Sequence, residues 1–166
     1  MIRVVGHLST EEFLANRIVR AIAPVTTPVS FRVEAEAMSL DGYFVRTGQS
    51  FASGNAYIEL NAGISGAVRG TASYTFVEVP GIYDIEVSYF DENDGLSQGW
   101  IKLNGTDLTT WVWNESTGSP VAAAATRRTR IVPAVALTTG DLIQLQSTRH
   151  TGENGRYDDI FFRAIP

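Results

Sequence analysis

The chain has 166 residues, 44% of them hydrophobic, and a formal net charge of −5, which suits one globular domain with a core of its own. That charge supplies no basic stripe, so phosphate-backbone binding is excluded as a main function, and Arg127, Arg128 and Arg130 are too short a cluster to change this. The absence of cysteine excludes disulfides, thiolate metal sites and thiol catalysis. No apolar run approaches the roughly 18 residues of a membrane-spanning helix.

Residues 1–30 read as a leader. Ser9 or Thr10 can cap a short helix running to Ile22, with Glu11 and Glu12 at its positive end and Phe13, Leu14, Ile18 and Ile22 spaced by threes and fours. A Pro/Thr-rich linker, Ala23–Pro28, follows. His7, Glu11, Glu12 and Arg17 interrupt any export signal, so a module drawn from a longer secreted protein is the expected context.

From Phe31 the pattern becomes short β-like runs broken by Gly, Asn, Asp and Pro. Strands are expected at 31–37, 43–46, 56–61, 70–79, 82–90, 99–103, 108–113, 126–132, 142–148 and 159–165. Tyr83, Ile85, Val87 and Tyr89 alternate with Asp84, Glu86 and Ser88, which marks a half-buried strand. Asn104-Gly105 between two alternating runs signals a hairpin. Such punctuation predicts an all-β, two-sheet antiparallel sandwich over 31–166, with strand signals alone not separating a jelly roll from an immunoglobulin-like sandwich. The tract Val121–Ala125 has high helix propensity but is short, and reads equally as helix or as loop or turn.

Glu34 and Glu36 are two apart in an expected strand, so both carboxylates would share a face. Paired anions need a proton or a cation between them. With no cysteine and only two histidines, the oxygen-rich choice is calcium; the alternative is that both face solvent. Asp158-Asp159 opens the apolar terminal run and offers a second acidic cluster, since a terminal strand can lie beside an early one. Asp91–Gly95 is also acidic but lacks the ligand spacing of an EF-hand, and reads as a hairpin turn or a weak second cation site.

Trp100, Trp111 and Trp113 fall close together. Sugar rings stack their C–H faces on flat aromatics while nearby polar groups bond the hydroxyls. Tryptophan is usually buried, but Trp113, at a strand-to-loop boundary and followed by Asn114-Glu115, is the expected exposed ring. Thr151–Arg156 is a polar loop that leads into Asp158, or simply a flexible turn.

The order of these features resembles the calcium-binding carbohydrate-binding modules of families 6 and 35. The resembling pieces are Val33-Glu34-Ala35-Glu36, the Ala52-Ser53-Gly54-Asn55 turn with Ala56-Tyr57-Ile58, Val79–Val87, Asn104-Gly105, Gly140-Asp141-Leu142-Ile143 and Asp158-Asp159-Ile160. The resemblance covers 31–166 and leaves the leader outside. It implies a structural calcium held by Glu34, Glu36 and Asp158, the Asp-x-Ile register selecting Asp158 over Asp159. It implies ligand recognition by loops at one end of the sandwich, with Asn154 and Trp113 as binding residues and Tyr43 or Tyr57 as a second aromatic. Glu153 and Arg156 share that ending and complete the expected ligand set.

The expected function is therefore non-catalytic polysaccharide or oligosaccharide binding. The module would be extracellular or at a cell surface, tethered to an enzyme or adhesin. Two rivals stand beside it: a structural or protein-binding jelly roll that calcium only stabilises, and a small glycoside-active enzyme using loop acids such as Glu92, Asp94, Glu115 and Glu153. A Ser-His-Asp site is disfavoured, because no Gly-x-Ser-x-Gly turn serves His150.

Overall fold

The computed structural model describes residues 26–63, 68–115 and 117–166. The expected leader helix lies outside them. Eleven strands follow in order: β1 Phe31–Glu34, β2 Ser39–Asp41, β3 Phe44–Thr47, β4 Ala56–Glu59, β5 Arg69–Thr75, β6 Gly81–Phe90, β7 Gln98–Leu103, β8 Thr106–Val112, β9 Arg127–Leu137, β10 Leu142–Thr148 and β11 Arg156–Ile165. One sheet runs β3-β4-β11-β6-β9, with β1 also paired to β11; the other runs β2-β5-β10-β7-β8. Every strand pair is antiparallel. The expected two-sheet β-sandwich is the fold.

Each of the ten expected strands has a counterpart, and Asn104-Gly105 turns β7 into β8 with both residues at positive φ, as a tight hairpin requires. Three-residue β2 was not foreseen, being too short to show a period. Several runs differ in length from the expected ones, and for two of them the physical reason is plain. β1 stops at Glu34, where Ala35–Ala37 winds into a 3₁₀ turn that buries Ala35 completely. β9 continues through Pro133 to Leu137, since it is a sheet edge and proline costs no ladder bond there. Its register shifts against β6 at this point, with Ala134 at φ 54° and its N–H donating to Asp84 Oδ1 at 2.8 Å.

The core lies between the sheets and is strongly aromatic. At one end Phe31 stacks on Phe162 at 4.6 Å, with Phe76 and Tyr83 edge-on around them. At the other, Tyr89, Trp111, Trp113 and Tyr157 interlock with ring centroids 5.0–6.4 Å apart. Gly99 lets this second group close up: a Cβ there would sit 2.7 Å from Trp113 Nε1 and 2.8 Å from Trp111. Burying each such ring contributes on the order of 2–3 kcal/mol. Among the described residues no helix is long and apolar enough to cross a membrane.

Candidate functional site

β11 carries a bulge between Tyr157 and Asp159 in its pairing with β6. Tyr157 and Ile160 both face the core and are fully buried, so the extra residue sends Asp158 and Asp159 together toward the opposite side. There Asp159 is the register partner of Glu34 on β1. Carboxylate oxygens of Glu34, Asp158 and Asp159 lie within 4.8 Å of one another and form a group that could hold a metal ion.

The Ser53-Gly54 turn closes the cluster. Ser53 donates from its backbone N–H to Asp158 Oδ1 at 2.9 Å and from its hydroxyl to Glu34 Oε1 at 2.8 Å. Gly54 sits at φ 59°, and a Cβ on it would meet Glu36 Oε1 at 2.8 Å, so only glycine leaves room for that carboxylate. Glu36 therefore belongs to the same neighbourhood, but through the 3₁₀ turn. The expectation that strand alternation aligns it with Glu34 is corrected.

Two guanidiniums border the acids. Arg32 Nη1 donates to Asp159 Oδ2 at 3.0 Å and Arg127 Nη2 to the same oxygen at 2.6 Å. Arg127 Nη2 also stands 2.9 Å from Asp158 Oδ2, an ion pair without hydrogen-bond geometry. Four carboxylates against two guanidiniums leave two negative charges. Glu34 Oε2 and Glu36 Oε2 are buried and accept no hydrogen bond, a costly state for bare carboxylates. Burial, with Asp159 and Glu34 nearby, outweighs Arg127 and pushes Asp158 up to about 7. Burial likewise raises Glu36 and Asp159. Two uncompensated charges, orphaned oxygens and an all-oxygen donor set fit a hard divalent cation.

A second acidic group, Glu92, Asp94 and Glu153, also brings carboxylate oxygens within 4.8 Å. It joins the β6–β7 loop to the β10–β11 loop, where Glu92 N–H donates to Glu153 Oε2 at 2.9 Å. Glu153 is fully buried and its Oε1 accepts nothing; burial, with Glu92 and Asp91 close by, lifts it to about 8. Arg156 runs beneath, donating to Glu59 Oε2 at 2.6 Å and pairing with Glu92, while Arg46 takes the other Glu59 oxygen at 2.6 Å.

The expected ligand residues do not assemble into an exposed platform. Trp113 is 0% exposed, walled in by Tyr89, Trp111 and Tyr157, so its expected exposure is corrected: the chain beyond β8 still pairs through Trp113 N–H to Ser97 O at 2.8 Å, which holds the ring inward. Tyr43 is buried with its hydroxyl 2.6 Å from Ser147 Oγ. Tyr57 is buried beneath Phe51 and Phe90. Glu153 and Arg156 are buried in the network above. Asn154 alone of the six is partly open, accepting from Arg149 Nε at 2.8 Å through Oδ1.

Of the three tryptophans, Trp100 is the one outside the core. Gly99 and Ile101 on either side of it are buried inward, so Trp100 lies on the outer face of the five-stranded sheet, half-buried, with the Arg69 guanidinium 4.9 Å from its ring centre. Across the sheet it shares a row with Thr110, Gln146 and Thr71. Gln146 donates to Thr71 Oγ1 at 3.0 Å and Gln98 to Thr110 Oγ1 at 3.2 Å, leaving an amide and hydroxyl ladder around one aromatic ring. The alternation Gly99-Trp100-Ile101 was the readable signal. Arg32 carried none, while Asp159 showed only as half of an acidic pair and Arg127 only as part of a basic cluster, because a bulge and cross-sheet neighbours leave no mark in spacing.

This geometry defines a class, the two-sheet antiparallel sandwich with an acid cluster where first and last strands meet. Comparison with known proteins narrows the fold. A family 35 carbohydrate-binding module from Clostridium thermocellum superposes with a TM-score of 0.62 at 14% identity, covering 83% of this chain and 100% of that one. A CBM35 from Paenibacillus barcinonensis gives 0.57 at 20% identity, covering 81% and 99%. The CBM36-1 domain of a multidomain xylanase from the hindgut metagenome of Trinervitermes trinervoides gives 0.56 at 15%, covering 83% and 99%. The chain thus has the fold of carbohydrate-binding modules of the family 6 and 35 type.

Among curated proteins, a probable alpha-glucuronidase A of Aspergillus fumigatus is 34% identical over 84 residues, 51% of this chain. Its counterpart in Aspergillus terreus is 36% identical over 84 residues. The chain covers 10% of the length of these relatives. No protein-family model matches it.

Proposed function

We propose that this chain is a non-catalytic carbohydrate-binding module that works outside the cell, tethered to a carbohydrate-active enzyme or adhesin, with a calcium ion at the Glu34, Glu36, Asp158 and Asp159 cluster. The observation that carries the sugar reading is Trp100, a half-buried ring on a sheet face flanked by Gln98, Gln146, Thr71 and Thr110. One flat apolar surface ringed by amides and hydroxyls suits a sugar ring: C–H groups stack, and the polar ladder bonds the hydroxyls. Arg69 would swing from the ring or bond the sugar's edge. Asn154 and Arg149 remain candidates at the loop end.

Likeness to family 35 and 36 modules supports this reading, as does the placement of several of them within larger enzymes, such as a GH26-CBM35 mannanase from Podospora anserina. Binding needs no bond-breaking, and tethering would raise the attached partner's local sugar concentration. Calcium would bridge β1 to the β11 bulge and offset the two uncompensated charges.

Affinity electrophoresis through neutral and acidic polysaccharides tests the proposal. Retention that Trp100→Ala abolishes while the protein stays folded supports it. Absence of retention on every polysaccharide favours the structural reading, which the burial of Trp113, Tyr43 and Tyr57 keeps in contention. Release of reducing ends by the isolated chain would establish the enzyme instead.

A further inference from the structure

The six-stranded sheet carries a groove of about 520 Å³ on its outer face, away from Trp100. Three of its walls are guanidiniums: Arg32 from β1, Arg127 from β9 and Arg163 from β11. The floor is Phe161, with Arg32 at 5.8 Å and Arg163 at 5.3 Å from its ring centre. Such stacking sets two planar forks in place before any ligand arrives. Ser88 and Thr129 add hydroxyls. Within the groove's own lining three guanidiniums stand against Glu86 and Asp159, and two of them, Arg32 and Arg127, also face the carboxylate cluster alongside.

The internal pairings leave donors free. Arg163 spends only Nε, on Glu86 Oε1 at 2.6 Å, and Arg32 only Nη1, on Ser53 and Asp159. Arg127 spends Nη2 on Ser88 and Asp159, while its buried Nε has no acceptor. Asp159 Oδ2 already lies between Arg32 and Arg127 at 3.0 and 2.6 Å. The protein's own carboxylate oxygen thus occupies an anion position between two forks.

We propose that this groove binds a tetrahedral oxyanion carried on a sugar chain, a sulfate or phosphate ester, and that a divalent cation at the adjoining carboxylate cluster strengthens that binding. A planar carboxylate offers two oxygens, whereas three guanidiniums from three strands suit an anion with three oxygens to offer. The coupling follows from shared groups. A cation drawing on Asp158 and Asp159 competes with Arg127 and Arg32 for the same oxygens, and releases those guanidiniums to an external anion. By linkage, the anion must tighten the cation in return. The coupling rests on the cation reading above; the groove does not.

Four polymers of one backbone test it: dextran sulfate, dextran phosphate, carboxymethyl dextran and neutral dextran, each titrated with and without calcium. The sulfate or the phosphate form should bind, the stronger naming the ester. Arg163→Gln, at a largely exposed side chain that folding does not need, should weaken binding about tenfold, the scale of a lost charge-assisted contact. Arg128→Gln, an equal charge loss outside the groove, should not. Calcium should tighten binding at least about 5-fold, within the usual range of coupling between sites. Equal losses in the two variants, or carboxymethyl dextran binding as tightly, would overturn the groove assignment. Calcium that raises the melting temperature but leaves anion affinity unchanged would overturn the coupling alone. Calcium that leaves the melting temperature unmoved would sink the cation reading, with anion binding still measured on its own.

Discussion

Glu34 and Asp159 are direct register partners across antiparallel β1 and β11, and their carboxylates converge with that of Asp158 instead of avoiding one another. Directly opposed like charges destabilise a strand pair. This pair stands because Ser53, Arg32 and Arg127 share the load, and a divalent cation would complete it.

Added calcium should therefore raise the melting temperature, and a chelator should reverse it. A ligand at 100 times its dissociation constant contributes about 2.7 kcal/mol, which for a chain of this size is roughly 5–10 °C. Gly54→Ala should remove most of that rise, because its Cβ takes the space of Glu36 Oε1 and its φ of 59° strains any other residue. Calorimetry with and without calcium checks both. An unchanged calcium response in Gly54→Ala would show that Glu36 plays no part in holding the ion.

Trp100 and Trp113 should separate binding from stability. Trp113→Ala empties a fully buried site and should cost about 3–5 kcal/mol, the usual range for a large aromatic removed from a core. Trp100→Ala, on the outer face, should cost well under half of that while losing polysaccharide retention. Urea melts run beside affinity gels read the two effects separately.

The buried acids make stability fall with pH when no cation is present. Glu153 rises to about 8 in the folded chain from an ordinary value of 4.5, so between those pH values the native state holds a proton that the unfolded state has lost. Its contribution is full below about pH 4.5 and declines as pH climbs through about 8. Glu153→Gln, a neutral mimic of the protonated acid, should flatten the decline over that window. Denaturant melts from pH 4 to 9 in chelator would show it; parallel curves for both proteins would mean that the proton sits elsewhere.

Arg156 should prove the costliest charge to remove. It meets Glu59 and Glu92, both almost wholly buried, so Arg156→Leu leaves Glu92 unpaired and Glu59 held by Arg46 alone, and should destabilise by about 3–5 kcal/mol. Arg46→Ala, which releases only the other Glu59 oxygen from a side chain 42% exposed, should cost no more than about 1 kcal/mol. A reversal of that order in chemical denaturation would contradict the network.

Local rules made the sandwich legible. Alternation such as Tyr83-Asp84-Ile85-Glu86-Val87 and the Asn104-Gly105 turn depend on neighbours in the chain, and each maps onto β6 or the β7–β8 hairpin. The meeting of Glu34 with the Asp158 end was also readable, because acidic residues in the first and last β-like runs suggested that those strands pair. The sequence by itself determined which segments are strands and which residue types could carry chemistry. Only the tertiary structure decided which carboxylates converge, since the β11 bulge adds Asp159 beside Asp158 and the 3₁₀ turn brings Glu36 by another route. It also decided which tryptophan is presented: Trp113 is held inward by a pairing beyond its strand, and Trp100 outward by the buried Gly99 and Ile101. Strand identity is a property of a few adjacent residues, whereas a site is set by register and sheet stacking between residues far apart in the chain.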